Sequence, residues 1–131
     1  MRILVVEDEH KIANAIRRGL EQESYAVDVA YDSDEGLSSA LTGEHDLIVL
    51  DRMLPGLIEG VDICKEVRAH QIHTPIIMLT AKGLELDVAR LADEFRVNAV
   101  IAKPFSPREL VATIRMHMDP TASLLALAAD R

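Results

Sequence analysis

The sequence predicts an α/β domain, a parallel sheet covered on both faces by helices, and three observations predict it. Short continuous apolar runs rich in branched residues alternate with segments of helical period from one end of the chain to the other. Four of those runs end in, or are directly followed by, polar residues. The 131 residues, 49% of them apolar, suffice for one core and leave no room for a second folded domain.

The elements follow in order. Ile3-Leu4-Val5-Val6 has no polar face, as expected of a central strand buried on both sides. Ile12, Ile16 and Leu20 then share one helical face, with Lys11, Arg17 and Arg18 off it. Tyr25 to Ala30 places bulky residues at alternate positions with Asp28 opposite, the pattern of a half-exposed edge strand. A short helix fits Ser33 to Leu41. Leu47 to Leu50 forms the third strand, Val61 to Arg68 the next helix, and Ile76 to Leu79 the fourth strand. Leu84, Val88, Leu91 and Phe95 recur at helical spacing before the weakest strand, Val100 to Ala102. Leu110, Ile114 and Met118 mark the last helix. Its start is signalled by an N-cap Ser106, a first-turn Pro107 and Glu109 at the capping-box position. The domain is assigned to residues 1–118. Residues 119–131, with Leu124, Leu125 and Leu127, are read as a C-terminal tail or linker remnant.

Composition excludes several functions. Lys plus Arg number 14 against 22 for Asp plus Glu, and a net charge of −8 disfavours direct nucleic-acid binding. No apolar stretch approaches the roughly 20 residues that span a bilayer, and the amino terminus turns acidic too early for a secretory signal. A cytoplasmic protein is expected. The single cysteine, Cys64, shares an apolar helical pattern with Val61 and Val67 and reads as core. His70 and His73 make an H-x-x-H pair without a nearby helical carboxylate, so they read as a solvated helix end and not a metal site.

The chemistry gathers at the strand ends. In open parallel sheets ligands bind beyond the carboxyl ends of the strands. There Glu7 and Asp8 follow the first strand, Asp51 ends the third, Thr80 ends the fourth and Lys103 follows the fifth. Three converging carboxylates repel one another unless a cation neutralises them, and Mg²⁺ suits oxygen ligands with room left for phosphate. With such an ion present, Asp51 is a carboxylate nucleophile for a phosphorus centre. Lys103 offers charge to one phosphoryl oxygen and Thr80 a hydrogen bond to another. Singly, each residue has a plainer reading. Glu7 and Asp8 read more readily as caps of the helix starting near His10, Thr80 as a turn residue, and Lys103 as a solvated cation. Their joint order after successive strands shifts the balance.

Taken together, these residues resemble the receiver domains of bacterial two-component response regulators. The resemblance covers nearly all of residues 1–118. It rests on Ile3 to Glu9, Asp46 to Gly56 with Asp51 and Met53-Leu54-Pro55, Thr74 to Ala81, and Lys103-Pro104-Phe105. The closest subgroup is the winged-helix transcription factors. The resemblance implies a flavodoxin-like (CheY-like) five-stranded sheet in the order 2-1-3-4-5, with Asp51 as phosphoacceptor. It implies Glu7, Asp8, Asp51 and the Met53 carbonyl as Mg²⁺ ligands, Lys103 holding the phosphate, Thr80 sensing it, and a cis Lys103-Pro104 bond. It implies a sensor histidine kinase as donor and a downstream protein or output domain as target, reached through the face of helix 4, strand 5 and helix 5. No winged-helix output domain fits in this sequence, and a fragment and a single-domain regulator are both compatible with it.

The sequence departs from the family at several positions. Val100 stands where an aromatic normally couples the pocket to the surface, and Asn98 and Ala99 replace two acidic residues of the dimer face, so a monomer or a weak phosphorylation-dependent dimer is expected. The loop Leu57-Ile58-Glu59-Gly60 and the interval from Thr80 to Lys103 are each one residue longer than usual, so helix four is expected to start or end differently. Met53 and Lys82 are poorly suited to orienting a hydrolytic water, from which slow self-dephosphorylation is expected. Two other functions compete with the switch. One is a degenerate receiver acting as a phosphorylation-independent binding module. The other is a haloacid-dehalogenase-type phosphatase, which needs an Asp where Met53 stands.

Overall fold

A computed structural model of the chain describes residues 1–81 and 88–118. Leu84, Lys82 and the tail 119–131 therefore lie outside the described residues. Five strands and five helices alternate: β1 (Arg2–Val6), α1 (His10–Gln22), β2 (Ala26–Ala30), α2 (Ser33–Ala40), β3 (Leu47–Asp51), α3 (Gly60–Ala69), β4 (Ile76–Ala81), α4 (Val88–Phe95), β5 (Ala99–Lys103) and α5 (Pro107–Met118). All strand pairs are parallel, in the order β2-β1-β3-β4-β5. The expected fold class and strand order are both observed.

Strand periodicity explains the two core layers. Successive side chains point to opposite faces, so Leu4, Val6, Ile48, Leu50, Ile76 and Met78 face Ile63 and Val67 of α3 and Leu91 and Phe95 of α4. Ile3, Val5, Leu47, Val49, Ile77 and Leu79 face Ile16 and Leu20 of α1 and Leu110 and Ile114 of α5. The apolar runs lack a polar face because both faces are covered. β2, at the edge, keeps Val27, Asp28 and Val29 only partly buried. Val100 of β5 is partly buried against the layer that contains Leu91 and Phe95, paired in register with Met78.

Local signals account for the helix starts. Asp32 caps α2, its Oδ1 accepting from the Glu35 N–H at 2.7 Å, and the Ser106 Oγ accepts from the Glu109 N–H at 3.0 Å at the start of α5. α1 begins at His10 with Glu9 as N-cap and no side-chain cap bond. Neither Glu7 nor Asp8 therefore serves as the cap that each, taken singly, suggested. Cys64 is fully buried, and burial pushes its thiol up to about 12, the state of an inert core residue. His70 lies at the exposed end of α3, with its Nδ1 2.8 Å from the Glu66 carbonyl oxygen. Among the described residues the H-x-x-H pair joins no cluster of metal-binding groups.

The sheet order places the site. β1 lies between β2 and β3, so the connections leaving β1 and β3 run to opposite sides and a crevice opens between their carboxyl ends. The residues after β1 and at the end of β3 border that crevice.

Candidate functional site at the carboxyl ends of the strands

Glu7 and Asp8 leave β1 and Asp51 is the last residue of β3. Each of the three offers a carboxylate oxygen, and these oxygens lie within 4.8 Å of one another. Lys103, the last residue of β5, crosses β4 to reach them: its Nζ donates to Glu7 Oε1 and to Asp51 Oδ2, both at 2.9 Å. Glu7 is fully buried and Asp51 is 5% exposed, while Asp8 is half-buried. One ammonium thus serves two of the three acids in a poorly solvated place.

The electrostatics record the imbalance. Burial, followed by the adjoining Asp51 carboxyl, pushes the Glu7 carboxyl up to about 8, despite the opposing pull of Lys103. Burial works against the Lys103 charge, yet its hydrogen bonds to Glu7 and Asp51 raise its pKa above the ordinary lysine value. Glu7 Oε2 is buried without a hydrogen-bond partner, as is the Thr80 hydroxyl on β4. A buried acceptor without a donor costs about 1–3 kcal/mol. Acids crowded beside an unsatisfied carboxylate oxygen fit a hard divalent cation bound by oxygen.

Met53 stands two residues beyond β3, its N–H donating to Asp51 Oδ1 at 3.1 Å while its side chain is 70% exposed. Asp51 is therefore held at both oxygens, by a backbone amide and by Lys103. The pocket opens to solvent. A cavity of about 680 Å³ is lined by Asp8, Asp51, Met53 and Lys103 together with the apolar Ile12 and Phe105. The Lys103-Pro104 peptide bond is cis, as expected.

The structure brings Glu7, Asp8, Asp51, Met53 and Lys103 together at one sheet edge. Thr80 is buried at the end of β4, one residue past the register partner of Asp51. Sequence reasoning missed the contact between α2 and the loop after β3: the Ser33 N–H donates to the Pro55 carbonyl at 2.9 Å and the Ile58 N–H to Ser33 Oγ at 3.4 Å. The sequence signal that could have found it is the Pro55-Gly56 pair, which favours a tight turn.

Residues 3–115 match the response regulator receiver domain family. The chain is 44% identical over 114 residues to the transcriptional regulatory protein ResD of Bacillus subtilis, an alignment covering 87% of this chain and 46% of ResD. It is 47% identical over 127 residues to the response regulator ArlR of Staphylococcus saprophyticus, covering 95% of this chain and 56% of ArlR. The chain thus spans about half the length of these relatives. Among solved structures, the receiver domain of Francisella response regulator 1452 superposes with a TM-score of 0.83 at 31% identity, covering 92% of this chain and 98% of that one. With the matched segment running from β1 into α5 and the strand order shared, the chain belongs to the response regulator receiver domain family.

Proposed function

We propose that Asp51 is the phosphoacceptor of this receiver, and that Glu7, Asp8, Asp51 and the Met53 carbonyl hold Mg²⁺ beside it. The observation that carries the reading is the trio of carboxylate oxygens within 4.8 Å, with Glu7 and Asp51 bridged by Lys103, opening on a cavity. A carboxylate oxygen of Asp51 attacks phosphorus, forming an O–P bond as the N–P bond of a phosphohistidine on a sensor kinase breaks and its imidazole departs. Lys103, now shared by two acids, turns its charge to a phosphoryl oxygen, and the unpartnered Thr80 hydroxyl donates to another. Bound Mg²⁺ supplies positive charge to the acids and to the incoming phosphoryl oxygens.

The protein acts as a switch and not as a catalyst with turnover. It works in the cytoplasm, with a sensor histidine kinase upstream and a downstream protein or output domain as target. The receiver occupies residues 1–118, and 119–131 is a tail or linker remnant. Output passes through the face of α4, β5 and α5, without direct nucleic-acid contact by this domain. On that face Asn98, although exposed, has its Oδ1 accepting from the Ile76 N–H at 2.9 Å and from Arg68 at 3.3 Å. It is thus occupied within its own chain, which supports a monomer or a weak phosphorylation-dependent dimer. Sedimentation with and without a phosphate mimic measures this, and a tight dimer formed on activation contradicts it.

Intact mass after incubation with a small phosphodonor and Mg²⁺ tests the main reading, using wild type and Asp51→Ala. A stable adduct in wild type alone supports it. Rapid turnover of many phosphoesters supports a haloacid-dehalogenase-type phosphatase, against which the apolar Met53 speaks. The absence of an adduct in either protein supports a degenerate binding module.

A further inference from the structure

We propose that Ser33 is a positioning residue for the loop of residues 52–59, setting the Met53 peptide against Asp51 from outside the site. The inference rests on the Mg²⁺ reading for its functional consequence, not for its geometry.

The loop is tied at its base and at its tip. At the base, the Gly60 N–H donates to the Arg52 carbonyl at 3.2 Å, and the Arg52 N–H to the Leu79 carbonyl at 2.9 Å. A Cβ on Gly60 would lie 2.5 Å from the Asp51 carbonyl oxygen, so the start of α3 rests directly on the backbone of the acceptor residue. At the tip, fully buried Ser33 gives its N–H to Pro55 and takes the Ile58 N–H on its hydroxyl. Between those two contacts Gly56 adopts φ +129°, where a Cβ would fall 2.0 Å from Ser33 Oγ. Only glycine lets the loop lie this close to α2.

The Ser33 hydroxyl is not needed by its own helix. Asp32 already caps α2 through the Glu35 N–H, so a buried hydroxyl at Ser33 is free to serve another segment. Side-chain burial holds the loop only in part: Leu54 and Ile58 pack on the core, whereas Met53 is 70% and Leu57 91% exposed. The polar tie to Ser33 therefore restricts the segment that carries the Met53 amide to Asp51 Oδ1. Loosening it lets the Met53 carbonyl wander from its place as a metal ligand, and metal affinity falls although no ligand has changed.

The test compares wild type, Ser33→Ala on α2 and, as a control destabilised in the core of α3, Val67→Ala. Two quantities are read: amide exchange of Met53 relative to Ile48 in the same protein without metal, and the Kd for Mg²⁺ by calorimetry. Ser33→Ala is expected to speed relative Met53 exchange and weaken Mg²⁺ by about 3- to 10-fold each, the scale of one neutral hydrogen bond. Val67→Ala is expected to leave the Kd for Mg²⁺ unchanged and not to raise the exchange of Met53 relative to Ile48, since global destabilisation speeds the core amide at least as much. Ser33→Cys, which stays close in volume but accepts weakly, moves both readouts in the same direction and stands in if the alanine variant does not fold. Wild-type values of both in the Ser33 variants, or equal changes in Val67→Ala, overturn the proposal. Failure of the wild type to bind Mg²⁺ sinks the metal reading instead, and the exchange ratio still decides whether Ser33 positions the loop.

Discussion

The two ends of one sheet treat charge in opposite ways. At the amino ends of the strands, polar groups are almost all matched: Arg2 makes two hydrogen bonds to Asp28 at 2.9 and 3.0 Å, and His45 Nε2 lies 2.8 Å from the same carboxylate. Arg68 donates to the carbonyls of Ile72, Thr74 and Arg96 at 2.8–2.9 Å, joining α3 to the segments that enter β4 and β5. Among the described residues at this end, His45 Nδ1 is the one buried side-chain atom without a partner. At the carboxyl ends, three acids crowd together with one lysine that reaches only two of them, and a carboxylate oxygen and a hydroxyl are buried without partners. One end is built for stability. The other carries a cost that a bound cation and a phosphoryl group would relieve.

That contrast is open to direct attack. Asp51→Asn should have the largest effect, abolishing the phosphoryl adduct while raising metal-free stability by about 1 kcal/mol, because a crowded negative charge is gone. Intact mass and thermal melting check the two halves, and a clear fall in melting temperature would mean that the acids are not strained as described. Arg68→Ala should do the reverse: it leaves several carbonyls without their donor and costs about 2–3 kcal/mol, with the adduct still forming in the folded protein. Denaturant unfolding and the same mass assay decide it.

A subtler difference concerns pH. In the metal-free fold the Glu7 carboxyl holds its proton up to about 8, against an ordinary value of 4.5. Between those values the folded state binds a proton that the unfolded state has lost. This contribution to stability is therefore full below about 4.5 and is lost as pH rises toward 8. Melting scans across that window should show the decline in wild type and a flatter profile in Glu7→Gln. An unchanged slope in the variant would assign the decline to other groups.

The strands and the acidic cluster were legible because they depend on short-range patterns. β1, β3 and β4 are buried on both faces, so their runs of branched residues carry the whole signal, and their carboxyl ends locate Glu7, Asp8 and Asp51 without further information. Even β5 was found from Val100 to Ala102, although Ala99 and Lys103 at its ends gave little apolar signal. What could not be read depends on contacts distant in sequence. Arg68 looks like any helical surface cation until the loops before β4 and β5 bring their carbonyls to it. Ser33 looks like a helix-start residue, since nothing near it announces that Pro55 and Ile58 will meet it. The upward shift of Glu7 is a consequence of burial and a neighbouring carboxyl, quantities that only the folded chain possesses.

The account stands most directly on where phosphate goes and what it requires. Tandem mass spectrometry of proteolytic fragments, after incubation with a small phosphodonor in Mg²⁺ and in parallel with a chelator, locates the modified residue. The expected result is modification of Asp51 alone, and only when the cation is present. Modification at another residue, or an equal yield in the chelator, would contradict it.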